Sequence, residues 1–158
     1  MKPARAPLEE LAAAWQAAWM GAGDFDRCCT PDVHYEDPAL ANPLRGPQEL
    51  AREAEVLRRA FPDMRIERET PPFGDVQQAC IPWRALGTHR EPLGTLPETE
   101  RFVAITGIHY LELEEDRIRR ARGFWDTYEG ATQLGLLPQR GSLGETALMM
   151  LRGFGLKR

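Results

Sequence analysis

The stretch from Ile105 to Pro138, ITGIHYLELEEDRIRRARGFWDTYEGATQLGLLP, constrains the fold more than any other part of the chain. Two runs rich in β-branched and aromatic residues flank the charged segment Glu114-Glu115-Asp116-Arg117, the pattern of two long strands joined by a tight turn. A short segment follows and closes on Gln133-Leu134-Gly135. With Glu115 and Asp116 as a two-residue turn, His109 opposes Arg122 and Asp126 opposes Ile105. Strand parity then gathers these residues with Val103, Gly107, Leu111, Leu113, Ile118 and Phe124 on one largely apolar face, which should line the core or a pocket. Trp125 falls on the opposite face, where it is available to a dimer interface.

A carboxylate in an apolar wall costs several kcal/mol unless it is paired or neutralised. Desolvation raises its pKa toward neutrality, which suits a base for carbon acids. Asp126 is therefore the leading catalytic candidate; its structural alternatives are a salt bridge to Arg122 or a cap on the turn at Glu129-Gly130. His109 lies four residues away along the ladder, roughly 13 Å at the usual strand rise, so the two would address different ends of one bound molecule. Arg122 lies between them and is placed to hold an enolate or carboxylate oxygen.

Upstream, Leu8 to Met20 reads as a helix with Leu8, Leu11, Trp15, Ala18 and Trp19 at helical spacing, ended by Gly21 and Gly23. A short second helix covers Asp24 to Cys29, and a strand covers Asp32 to Asp37, cut off by Pro38. A third helix runs from Pro47 to Phe61 on the stripe Leu50, Ala54, Leu57, Phe61. Met64 to Thr70 and Val76 to His89 read as strands, with Pro82 demanding a bulge or an edge. Arg90 to Glu100 is a loop, and after Pro138 a short apolar helix spans Leu143 to Leu151. Helices followed by a run of antiparallel strands define an α+β domain, here 1–138, with 139–158 as a tail that packs on it or on a second subunit.

The net charge of -4 argues against a nucleic-acid partner. No apolar stretch approaches a membrane span, and no secretion signal is read. Three cysteines, Cys28 and Cys29 adjacent and Cys80 alone, make a disulfide framework improbable and suit a reduced, cytoplasmic setting. Scattered histidines and cysteines give no metal-ligand spacing, and no phosphate-binding loop or nucleophilic triad is present, so neither metal nor cofactor is expected.

In this order, VHYEDP, RGPQEL, FPDM, GTH and GFWDTYEGATQLGLLP resemble the SnoaL-like polyketide cyclases of the nuclear transport factor 2-like fold, over roughly Leu8 to Pro138. That resemblance implies a cone in which a curved antiparallel sheet and three helices enclose a pocket open at one end. It implies an acid/base aspartate late in the last strand, matching Asp126, and a pocket histidine on the preceding strand, matching His109. It further implies intramolecular aldol closure of a polyketide ester without cofactor, and homodimers formed through the sheet. The hairpin turn lacks the glycine common in relatives.

Tyr35-Glu36-Asp37-Pro38 also resembles the catalytic stretch of ketosteroid isomerases, in which the aspartate before the proline moves the proton. Those enzymes add a tyrosine donor on the first helix; Trp15 or Gln16 stands there instead, and Asp-Pro reads first as a strand-ending turn. Trp15, Trp19, Trp83 and Trp125 suit core or ligand-stacking walls equally. Phe124, Tyr35 and His89 complete the substrate-binding candidates, although a strand-end histidine such as His89 is more often solvated. Three functions follow: a cofactor-independent cyclase or isomerase acting on a small hydrophobic ester or ketone, a non-catalytic binder of a small hydrophobic molecule, or a dimerising interaction protein that docks through Leu143 to Leu151.

Overall fold

The computed structural model describes residues 5–68 and 70–153. Helix α1 spans Arg5–Trp19 and a 3-10 turn spans Phe25–Arg27; strand β1 is Cys29–Glu36, β2 Leu44–Arg45, α2 Gly46–Ala60, β3 Arg65–Glu67 and β4 Phe73–Gly74. The long strands β5, Gln78–Thr88, β6, Phe102–Glu114, and β7, Arg117–Trp125, lead into α3, Thr127–Gln133, and α4, Leu143–Leu151. The architecture is α+β: a curved, unclosed sheet in the order β2-β1-β7-β6-β5-β3, with β4 beside β5, packed against helices.

Three sequence expectations change. The second helix contracts to the 3-10 turn, because β1 starts at Cys29 and takes Pro31 into the strand. The sheet is not wholly antiparallel: β1 runs parallel to β7, with a register shift between Cys29 and His34 that accommodates Pro31. Thr127–Gln133, not expected as a helix, is one, so the α-helices among the described residues number four with the tail helix included. Pro82 meets its expected constraint. On one side it belongs to an unbroken ladder with β6; on the other it falls in the gap between β4, which covers Ala79 and Cys80, and β3, which covers Arg84 to Leu86.

The hairpin carries the largest correction. Its turn is Glu115-Asp116, both at positive φ (48° and 61°), the geometry whose twist matches that of the flanking strands. Glu114 pairs with Arg117 and Leu113 with Ile118, as expected. Glu112 then pairs with Arg120, which leaves Arg119 as an extra residue in the ladder. A one-residue slip sends every later side chain to the other face. His109 therefore opposes Gly123, and Gly107 opposes Trp125. Charge patterning accounts for the slip. The bulge puts Arg120 and Arg122 on the outer face, where both meet Glu36 at 2.7 Å, and turns Ala121, Gly123 and Trp125 inward. The uninterrupted register would have directed Arg120 and Arg122 into the core.

The core joins the inner faces of α1, α2 and the sheet through Trp15, Trp19, Phe25, Val33, Tyr35, Leu50, Leu111 and Ile118. Helix α4 stands outside it. Tyr128 donates to the carbonyl of Pro138 at 2.9 Å and to Glu145 at 3.4 Å, while Leu143 and Leu151 remain exposed.

Candidate active site

Between the inner sheet face and helices α1, α2 and α3 lies a cavity of about 380 Å³. That volume falls within the range of small-molecule sites. Its walls are mainly apolar, and within them Tyr35, Asp37 and His109 form one hydrogen-bonded group.

Gly107 and Gly123 shape this end. A Cβ on Gly107 would lie 2.4 Å from Cζ2 of Trp83 and 2.5 Å from the Phe124 carbonyl oxygen, so the missing side chain is what lets the Trp83 indole lie across β6. A Cβ on Gly123 would come within 3.0 Å of both Tyr35 Oη and Asp37 Cβ. The gap opposite His109 thus admits Tyr35 and Asp37 from β1 and its exit.

The resulting hydrogen-bond chain has a determined direction. Trp15 Nε1 donates to His109 Nδ1 at 3.1 Å. An indole nitrogen can only donate, so Nδ1 accepts and a neutral ring carries its proton on Nε2. Nε2 then donates to Tyr35 Oη at 3.4 Å, and Tyr35 donates to Asp37 Oδ2 at 2.9 Å. The other carboxylate oxygen, Oδ1, accepts from the backbone N–H of Ala39 at 2.7 Å. Rings of Trp15, Trp19, Tyr35 and Trp83 surround the imidazole, with centroids 5.4–6.2 Å away. What surface the ring retains faces the cavity, and burial lowers its pKa to about 3. It stays neutral. Tyr35 is held well above its usual pKa, first by burial and then by the Asp37 charge and the hydrogen bond between them, so its hydroxyl stays protonated.

Glu53 was missed by sequence reasoning. It lines the same cavity from α2, and its pKa is raised by burial and then by Asp37. Its position carried a signal: it lies between Leu50 and Leu57 on the inward stripe, where a carboxylate is out of place.

The remaining candidates divide cleanly. Trp15, Trp19, Trp83, Tyr35, Asp37 and His109 come together in the cavity wall. Asp126 does not. It is the N-cap of α3, accepting from the Glu129 backbone N–H at 2.9 Å, with its other oxygen 3.9 Å from Arg140 and a side chain 58 % exposed. Its inward placement is thus corrected in favour of the capping alternative, because the bulge gives the inward position to Trp125, which lines the cavity instead of the outer face. The same slip puts Arg122 outside, and its guanidinium lies 5.9 Å from the ring centroid of an exposed Phe124. His89 is fully buried rather than solvated, but lies apart from the cavity lining: Nδ1 accepts from the Thr99 backbone N–H at 3.2 Å and the ring packs on Phe61. Among the described residues, no cluster of three His, Cys, Asp or Glu could hold a metal ion, and no helix is long and apolar enough to cross a membrane.

Solved structures share this fold. TsrD from Streptomyces laurentii superposes with a TM-score of 0.74 at 18% identity, covering 86% of this chain and 100% of its own. The phenazine biosynthesis-related protein PhzB2 from Pseudomonas aeruginosa gives 0.68 at 18%, covering 89% and 93%. A protein of ketosteroid isomerase-like fold from Catenulispora acidiphila, in complex with trimethylamine, gives 0.66 at 15%, covering 80% and 93%. No curated protein matches the chain significantly in sequence. The model of the SnoaL-like polyketide cyclases matches residues 8–134, most of the chain, and with the cone-forming elements in place the protein belongs to that family.

Proposed function

We propose that the protein catalyses cofactor-independent proton transfer at a carbon next to a carbonyl, leading to intramolecular aldol closure or isomerisation of a small hydrophobic ketone or ester. The observation that carries this reading is the convergence of Asp37 and Glu53 on a largely apolar cavity. Glu53, its pKa raised first by burial and then by Asp37, suits the proton-holding role of such a pair. In this scheme Asp37 takes the α-proton, and the electron pair of the broken C–H bond moves onto the carbonyl oxygen as an enolate. Glu53, whose protonated form is favoured by burial and by Asp37, offers an O–H to that oxygen. The enolate carbon then attacks a second carbonyl of the same molecule, or is reprotonated elsewhere. Tyr35 fixes the Asp37 carboxylate, and neutral His109, held by Trp15, fixes Tyr35. His109 serves here as a positioning residue.

The test is hydrogen–deuterium exchange at the α-carbons of β-tetralone, followed by NMR. Asp37→Asn should lower the enzymatic rate at least 100-fold and Glu53→Gln by a smaller factor, within the span expected for acid–base groups. Unchanged exchange in Asp37→Asn would remove the base from the scheme. Binding of the ketone without exchange above buffer in the wild type would favour a non-catalytic binder.

A further inference from the structure

The cavity is unbalanced in charge. Its ionisable lining consists of Tyr35, Asp37, Glu53, Arg68 and His109, and the Tyr35 hydroxyl stays protonated. Arg68 is already engaged, its Nη1 on Glu9 at 3.1 Å and its Nε on Gln16 at 2.9 Å. His109 is neutral. Neither Asp37 nor Glu53 has an ion-pair partner among the described residues, and the Glu53 carboxyl has no hydrogen-bond partner there either. The walls around them are aromatic: Trp19, Tyr35, Trp83 and Trp125. Ring faces attract cations by their quadrupole.

We propose that the ligand of this cavity is a protonated amine on a compact apolar body that also carries a carbonyl oxygen. The ammonium sits against the Asp37 carboxylate among the aromatic rings, and the carbonyl oxygen takes the Glu53 O–H. This rests on the reading of the cavity as the substrate site and narrows it to a class. A positive charge close to the carbonyl also makes the α-proton more acidic, which helps a carboxylate base remove it.

The experiment compares three probes with one body: adamantylamine, adamantanol and adamantane carboxylate, titrated against intrinsic tryptophan fluorescence and by calorimetry. The ammonium is expected to bind at least tenfold tighter than the alcohol, and the carboxylate weakest. In the double variant Asp37→Asn/Glu53→Gln the preference of the amine over the alcohol should fall to within twofold. Equal or tighter binding of the alcohol in the wild type overturns the proposal, and so does an amine preference that survives the double variant. The wild-type series decides the matter by itself should that variant not fold. Equal amine and alcohol binding with β-tetralone exchange intact defeats the ligand class alone. Absence of binding by all three, with no exchange, defeats the cavity as a substrate site and the ligand class with it.

Discussion

His109 should make the protein sensitive to acid in a calculable way. Its folded pKa of about 3 lies below the ordinary 6.5. Between those values the unfolded chain binds more protons than the folded one, so stability falls as pH drops through this window and is fully present above it. At pH 5 the linkage amounts to about 2 kcal/mol, growing to about 4 kcal/mol at pH 3. The groups that face the ring are Trp15, Trp19, Trp83, Tyr35 and, through Tyr35, Asp37. Tyr35 does not titrate in this range, its pKa being raised. Glu53 has a raised pKa and so contributes with the opposite sign, but it is common to both proteins compared and cancels. The perturbation is His109→Gln, which retains an acceptor for Trp15 and a donor for Tyr35 without titrating. Urea unfolding of wild type and variant at several values between pH 7 and pH 4 gives the difference directly. The wild type should lose about 2 kcal/mol more than the variant between pH 7 and pH 5. Parallel pH profiles would refute the buried neutral imidazole and the direction assigned to the hydrogen-bond chain.

Three further outcomes are expected. Gly123→Ala places a methyl 3.0 Å from Tyr35 Oη and Asp37 Cβ, and should destabilise the fold by about 1–3 kcal/mol in urea unfolding; a neutral result would show that this gap is not tight. Asp126→Ala should cost about 1 kcal/mol through loss of the α3 cap while Asp126→Asn costs little, since asparagine caps equally well; thermal melts of both separate the cap from any other role. Phe102, Ile108 and Phe124 lie exposed on the outer sheet face, where a second copy would pair. Phe124→Asp should then shift a dimer to monomer in sedimentation, and an unchanged mass would place any dimer contact elsewhere.

Much of this molecule was legible in its residues. The stripes Leu11, Trp15, Ala18 and Leu50, Ala54, Leu57 located α1 and α2 to within a few residues, because each must bury one face. The turn Glu115-Asp116 was legible from its charges between apolar runs. What escaped was a single inserted residue. Alternation places inward residues two apart, yet Ile118 and Ala121 are three apart, with the pair Arg119-Arg120 between them. That odd spacing was the available sign of a bulge, and overlooking it exchanged Arg122 and Phe124 for Gly123 and Trp125 on the inner face. Asp37 carried the opposite ambiguity. Asp-Pro is a turn signal, and here it is also a site residue: one carboxylate oxygen closes the turn on Ala39 while the other holds Tyr35. Local pattern cannot separate two roles that one side chain performs together. The Tyr35–His109 contact joins residues 74 apart in sequence and exists only once β1 lies beside β7.

In the proposed reaction proton transfer falls to Asp37, inside the cavity, while Asp126 caps a helix at the surface. The most direct test is the α-proton exchange rate of β-tetralone with Asp37→Asn and Asp126→Asn measured side by side. Exchange lost in the first and retained in the second is the predicted result; exchange lost in the second and retained in the first would assign the base to Asp126 instead.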